Sequence, residues 1–365
     1  MIRDMKKKMF KNFITFFKRD TFVIPLASIV LSLFIAALVI LSIGKNPVIA
    51  YASLIKGSFG NVQAFITTMI KLTPLILTGL AVAFGFRAGL FNIGAEGQLS
   101  MGALAATMFG VYITSVPAII AIPIAILGGM AAGGAWGAIA GYLKAKTGAH
   151  EVISTIMLNY IAALLANFMV NGPFQAVGTG IPKSPEITDA AKLPVMISVQ
   201  ASSLSIGIII SLIAAVIIYV IIQRTTVGYE IKAVGFNPYA AEYGGISIAK
   251  NIVLAMFISG ALAGLAGTVE VLGLHHRFLG TLSAGKGFDG ISIALIGQNN
   301  PIGVVFAALL IAALRTGSNQ MQFAGIPKHI IIIVQGLVIF FIATERLVKT
   351  LILWKERKEE EVLQK

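Results

Sequence analysis

The chain has 365 residues, 57% of them hydrophobic and 12% charged, with a mean hydropathy of +0.90. A soluble domain of this length cannot bury so much apolar surface, whereas a bilayer solvates it, so a water-soluble enzyme or binding module is excluded. The net charge of +13 does not argue for nucleic acid, because Lys and Arg gather at the two ends and between apolar runs, where cytoplasmic loops of membrane proteins collect them.

Residues 1–21 form a basic segment (Arg3, Lys6, Lys7, Lys8, Lys11, Lys18, Arg19), expected on the cytoplasmic side. The apolar stretch from Phe22 to Ile43 is too long for the core of a signal peptide and reads as the first transmembrane helix. Further apolar runs cover 64–84, 92–114, 117–142, 152–170, 204–222, 252–272, 287–298, 301–314 and 328–348. A span needs about 20 residues to cross the hydrocarbon core, and some of these ten are too short to cross alone. The expected fold is therefore an all-α, polytopic transmembrane bundle with about 8–10 membrane segments, some broken or re-entrant. The transmembrane domain runs over 22–348, and a charged cytoplasmic tail over 349–365. An even count leaves both termini cytoplasmic in the cell membrane, and most of the 28 Lys and Arg then fall inside.

Within this layout, Lys71 and Arg87 leave a short apolar core between them, so 64–98 reads as a re-entrant or broken helix or as a plain hairpin. The outer loop 171–203, with Pro173, Pro182, Pro185 and Pro194, is a connector or a docking surface for an extracellular partner. The inner loop 223–251 is expected on the cytoplasmic side.

Three stretches carry chemistry. The first runs from Gly85 to Gln98 and holds four glycines, Arg87, Glu96, Asn92, Gln98, Phe86 and Phe91. Charges at membrane depth are costly and face a partner or a watery path. Glycines let helices break there and expose backbone groups to solute. Asn92, Glu96 and Gln98 suit hydrogen bonds to a polar solute, and Phe86 and Phe91 suit stacking on a flat ring. The bland alternative is an internal Arg87–Glu96 ion pair with the glycines packing helices. The second stretch, Gly287–Pro301, is too short to cross. It contains Asp289, and Asn300 before Pro301 reads as a helix start. Its Phe288-Asp289-Gly290-Ile291 echoes Phe91-Asn92-Ile93-Gly94, and paired broken elements in two halves of a transporter mark the solute path. For Asp289 the alternative is a plain helix cap. In the third stretch, Asn237 caps a helix with Pro238 at its first position and Gly244 at its end. About two turns long, it is unstable alone, so a cytoplasmic partner or the membrane surface must hold it.

Other chemistries find no support. The chain has no cysteine, which excludes disulfides, thiolate metal sites and cysteine nucleophiles. His275 and His276 are adjacent and do not converge, His150 and His329 lack a carboxylate pattern, and no metal site is expected. No P-loop and no serine or zinc hydrolase motif is present, so the chain is not itself an ATPase or a hydrolase of these types.

Together the three stretches resemble the permeases of the branched-chain amino acid, ribose and nucleoside class of ABC importers. Phe86–Gln98 looks like the hallmark of the nucleoside and simple-sugar branch, as do Gly287–Ile291, Ala294–Gly297 and Asn300-Pro301. Gly235-Phe236-Asn237-Pro238 with Ala240, Ala241 and Gly244 resembles its coupling helix. The resemblance implies a second permease chain, identical or related, a cytoplasmic ATPase that binds ATP and Mg, and an extracellular solute-binding protein. It implies no cofactor in this chain. The solute is expected to be a nucleoside, with a simple sugar or riboflavin as alternatives, and an ion-driven secondary transporter is the rival class. Phe91, Asn92, Glu96, Gln98 and Asp289 are the expected pathway residues.

Overall fold

A computed structural model describes residues 20–341 except 115, 179, 201, 281, 328, 329, 331, 334, 335, 338 and 339. The basic segment before residue 20, the charged tail and the end of the last expected span lie outside the described residues. Twelve α-helices occur among the described residues. The chain divides into two units, residues 1–57 with 317–365, and residues 58–316.

In the first unit, α1 (Asp20–Ser42) and α2 (Pro47–Phe59) meet at an angle of 118°. The bend follows from the sequence between them. Gly44 takes a left-handed φ of +74°, the Asn46 side chain accepts from Val48 N at 2.9 Å, and Pro47 starts the next helix. Tyr51 Oη donates to Leu33 O across the bend at 2.5 Å.

The second unit holds α3 (Val62–Arg87), α4 (Ala95–Tyr112), α5 (Ala118–Thr147), α6 (Glu151–Asn171), α7 (Gly207–Arg224), α8 (Thr226–Phe236), α9 (Pro238–Tyr243), α10 (Ile248–Glu270), α11 (Lys286–Ile296) and the start of α12 (Pro301–Phe323). Helices α3, α5, α6, α7, α10 and α12 are long and apolar enough to cross a membrane, and the bent α1–α2 pair makes a seventh candidate span. The fold is an all-α polytopic membrane bundle, with α4 more polar and α11 shorter than a span.

Burial separates core from lipid-facing helices. The apolar windows of α3 and α10 are 78% buried, that of α6 only 17%, and Ile153, Leu164 and Phe168 of α6 point outward as lipid-facing side chains do. Helix α10 is the hub, packed on α3, α4 and α5. Glycine makes that packing close: a Cβ on Gly133 of α5 would lie 2.5 Å from Gly260 O and 2.6 Å from Gly264 Cα, both on α10. In lipid such small-residue contacts supply the association that water supplies in soluble cores. Gly133→Ala is expected to cost about 1–3 kcal/mol by overpacking. The check is the unfolding temperature of the detergent-extracted protein, which should fall for Gly133→Ala and stay unchanged for Gly180→Ala, whose Cβ would meet nothing within 4 Å.

The region 64–98 is a broken helix and not a plain hairpin, with the break placed late: α3 runs unbroken through Lys71, whose Nζ donates to Arg315 O at 3.0 Å, and through Pro74 to Arg87, and the chain breaks at 88–94 before α4. The segment expected at 301–314 continues to Phe323. Finally, the loop after α6 ends in an antiparallel hairpin, β1 (Val195–Val199) with β2 (Ser202–Ser205), so α7 starts at Gly207 and not at 204.

Candidate functional site: two broken helices, a charged cavity and a short exposed helix

The first break follows α3. Ala88 N and Leu90 N both return to Gly85 O at 3.0 Å, and Gly89 takes φ +70°. Asn92 then turns the chain into α4. Its Oδ1 accepts from Gly94 N at 2.9 Å and Gln98 Nε2 at 3.1 Å, while its Nδ2 donates to Gln98 Oε1 at 2.9 Å and Ser259 Oγ at 2.8 Å. Ser259 Oγ donates onward to Ala81 O at 2.5 Å. Asn92 and Gln98 are thus buried in a polar clamp that ties α3, α4 and α10 together. Asn159 of α6 braces the same turn, accepting from Gly97 N at 2.8 Å and donating to Ile93 O at 2.9 Å. Sequence reasoning passed over Asn159, although an amide inside an apolar span is itself a sign of an inward-facing partner. Phe86 and Phe91 meet edge to face, with ring centres 4.9 Å apart.

The second break follows α10, which ends in a wide turn at Val271–His275, and the chain re-enters a helix at Lys286. Helix α11 has no side-chain cap of its own. Glu96, from the first turn of α4, supplies one: Gly285 N donates to Oε1 at 2.8 Å and Gly287 N to Oε2 at 2.7 Å. A carboxylate at a helix start is favoured both by these charge-assisted bonds and by the helix dipole. Gly287 makes the approach possible, since a Cβ there would fall 2.5 Å from Glu96 Cα. Asp289, one turn further on, pairs with Arg315 of α12. At the far end of α11, Arg87 Nε donates to Asn299 O at 3.0 Å. Among the described residues Arg87 and Glu96 do not pair with each other; each bonds to the opposite broken stretch. Asn300 Oδ1 accepts from Ile302 N at 3.0 Å and Pro301 opens α12, as its sequence implies.

A cavity of about 430 Å³ lies between α3, β2, the end of α10 and the start of α11. Lys71, Glu270, Lys286 and Arg315 contribute charges to its wall, and Ser203 and Ser205 contribute hydroxyls. Glu270 Oε1 receives Lys286 Nζ at 2.7 Å and lies 3.5 Å from His275 Nε2. None of the five expected pathway residues is in this wall. Glu96 adjoins it through the α11 backbone and Asp289 through Arg315. The four charged residues each sit within or beside an apolar run, and that was the signal available for them.

At the other end of α7, Thr225 caps α8 by accepting from Gly228 N at 3.1 Å. Asn237 caps α9 by accepting from Ala240 N at 3.1 Å, with Pro238 at its first position. Gly244 N closes the helix on Ala240 O at 3.1 Å, and the left-handed residue is the next one, Gly245 at φ +81°. Ala241 is buried beneath, while Phe236, Tyr239 and Tyr243 are 86%, 82% and 97% exposed. Three aromatic rings, one at the end of α8 and two on α9, are a large apolar surface to leave to water. Gly235, at the end of α8, abuts the first break: a Cβ there would lie 2.8 Å from Ala88 C and 2.9 Å from Gly89 N.

The loop between α6 and β1 is stitched down. Ser184 N donates to Phe278 O at 3.1 Å, Ile187 N to His276 O at 2.9 Å, Thr188 N to Gly110 O at 2.9 Å and Leu193 N to Leu272 O at 2.8 Å. Glu186 joins Lys192 at 2.8 Å and Arg277 at 2.7 Å, and the hydrogen bond from Lys192 holds its carboxyl below the ordinary range.

Comparison with known proteins follows the same outline. Residues 64–343 match the family described as branched-chain amino acid transport system / permease component. The chain is 43% identical over 326 residues to the guanosine ABC transporter permease protein NupP of Bacillus subtilis, covering 88% of this chain and 92% of that one. It is 39% identical over 343 residues to the nucleoside ABC transporter permease protein NupB of Lactococcus lactis, covering 90% and 92%. It is also 34% identical over 335 residues to the glucose ABC transporter permease protein TsgB13 of Haloferax volcanii, covering 89% and 88%. No solved structure matches.

Proposed function

The chain belongs to the family of branched-chain amino acid transport system permease components, and on that premise we propose that it is the membrane-spanning subunit of an ATP-driven importer whose solute is a nucleoside. The observation that carries this reading is near full-length similarity, at 39–43% identity, to two permeases named for guanosine and nucleosides. The chain is a multi-pass membrane protein and a transport subunit; ATP and Mg belong to a partner ATPase.

The parts then divide the work. Helix α9, with exposed Tyr239 and Tyr243 and with exposed Phe236 beside it at the end of α8, seats in the ATPase on the cytoplasmic side, where both termini also lie. A short helix too small to stand alone gains its stability from that seat. A second permease chain, identical or related, completes the pathway in the lipid bilayer, and an extracellular binding protein delivers solute above the outer hairpin. When the ATPase moves α9, the rigid turn at Asn237 carries the end of α8 with it. Gly235 then pushes directly on the backbone of 87–89 and hence on the Asn92 clamp and Glu96. Phe91, Asn92, Glu96, Gln98 and Asp289 act in this scheme chiefly by positioning the two broken helices. Gly235, Asn237, Pro238, Ala240, Ala241 and Gly244 form the coupling element.

The test is uptake by the complete complex in proteoliposomes. Nucleoside accumulation is expected to require ATP and to stop with vanadate. Concentrative uptake by this chain alone along an ion gradient, without nucleotide, would instead establish a secondary transporter.

A further inference from the structure

The charged cavity is not accounted for by the coupling scheme. It has the size of a small-solute site, within the usual range of about 300–1,000 Å³. Its wall combines an apolar part, including Leu204 and Leu274, with a small set of polar groups, as solute sites do. Two of those groups are incompletely satisfied. Glu270 is 6% exposed, its Oε1 takes Lys286, and no described group bonds to its buried Oε2. Lys71 donates to the backbone oxygen of Arg315, and no described carboxylate pairs with it. A buried carboxylate oxygen without donors is costly, and so is an ammonium with one acceptor for three donors.

These groups select a ligand chemistry. A cation is disfavoured by Lys71, Lys286 and Arg315 in the same wall. An anion such as a phosphate ester is disfavoured by Glu270 Oε2, which needs hydrogen-bond donors. A neutral solute rich in hydroxyls satisfies both, because each hydroxyl donates to the carboxylate and accepts from the ammonium. Ser203 and Ser205 add hydroxyls of the same kind. Resting on the nucleoside reading above, we propose that this cavity is the solute site, with the Glu270 carboxylate accepting from the ribose diol and Lys71 Nζ donating to sugar oxygens from the α3 side.

The test compares wild type with Glu270→Gln in the full complex, measuring uptake of adenosine, 2′-deoxyadenosine and 3′-deoxyadenosine. Glu270→Gln is expected to lower adenosine uptake about tenfold or more, the scale of one lost charge-assisted hydrogen bond. The deoxynucleosides should lose less, so the preference for adenosine shrinks. Any preference of the delivery protein is common to both complexes and cancels in that comparison. Equal loss of all three solutes, or no loss, overturns the proposal. If wild type carries glucose and no nucleoside, the nucleoside reading fails separately, and the same comparison with 2-deoxyglucose tests the cavity. A second measurement covers a variant that fails to assemble. The chain has no cysteine, so Ser205→Cys places its single thiol in the wall. Transported solute is expected to slow maleimide labelling of this chain several-fold; unchanged labelling overturns the assignment.

Discussion

Gly235→Ala is expected to abolish solute-stimulated ATP hydrolysis while leaving the chain inserted and assembled with its partners. The added methyl group meets backbone on every side, namely Arg87 O, Ala88 C and Gly89 N, and no flexible side chain is there to give way. Overpacking of this kind costs about 1–3 kcal/mol. That is small beside the packing of the α10 hub, so the bundle survives. It is large beside a switching equilibrium, where the same range changes populations about 5- to 150-fold. Because α8 touches the first broken helix through this contact, separating them disconnects α9 from the Asn92 clamp. Asn237→Ala acts one step earlier, removing the cap of a helix only six residues long. Stimulation of ATP hydrolysis in the purified complex is the measurement, with Gly180→Ala as the neutral comparison. Normal stimulation by Gly235→Ala would remove the mechanical link from the scheme.

The elements most legible in the sequence are those specified by neighbours in the chain. Asn237-Pro238 and Asn300-Pro301 each carry a cap and a helix start within a few residues, and both form as read. The breaks at 88–94 and before α11 were visible because glycines and polar groups interrupt apolar runs that are otherwise continuous. What joins the breaks was not visible. The Glu96 bonds to Gly285 and Gly287 bridge residues 189 and 191 positions apart, and nothing local distinguishes a carboxylate that caps a distant helix from one that faces solute. Lys71 misled in the same way: its partner, the carbonyl of Arg315, lies 244 residues on, so a lysine inside a continuous helix made the apolar core before Arg87 look short. Asn92 and Gln98 have the chemistry of solute ligands, but each is the other's best partner once the turn forms. The cavity charges were scattered over α3, α10, α11 and α12 and became a set only through the tertiary fold.

That distant cap gives the other large expected effect. Glu96→Ala leaves Gly285 N and Gly287 N without their acceptor at the start of α11. Water that would compensate at a soluble helix end is scarce at membrane depth, and each unmet donor costs about 1–3 kcal/mol. Helix α11 is then expected to fray at Gly287 and to let Asp289 and Arg315 shift with it, lowering transport by about a hundredfold. Glu96→Gln separates the two classes of transporter. Here Glu96 works as a doubly accepting carboxylate, and glutamine keeps one acceptor while pointing an amide donor at a backbone N–H. Glu96→Gln should therefore behave nearly as badly as Glu96→Ala. In an ion-driven carrier that binds a proton at Glu96, glutamine would instead mimic the protonated form and preserve solute exchange. Uptake and exchange measured side by side on the two variants decide between them: retained exchange in Glu96→Gln would mean that this carboxylate carries a proton and does not cap α11.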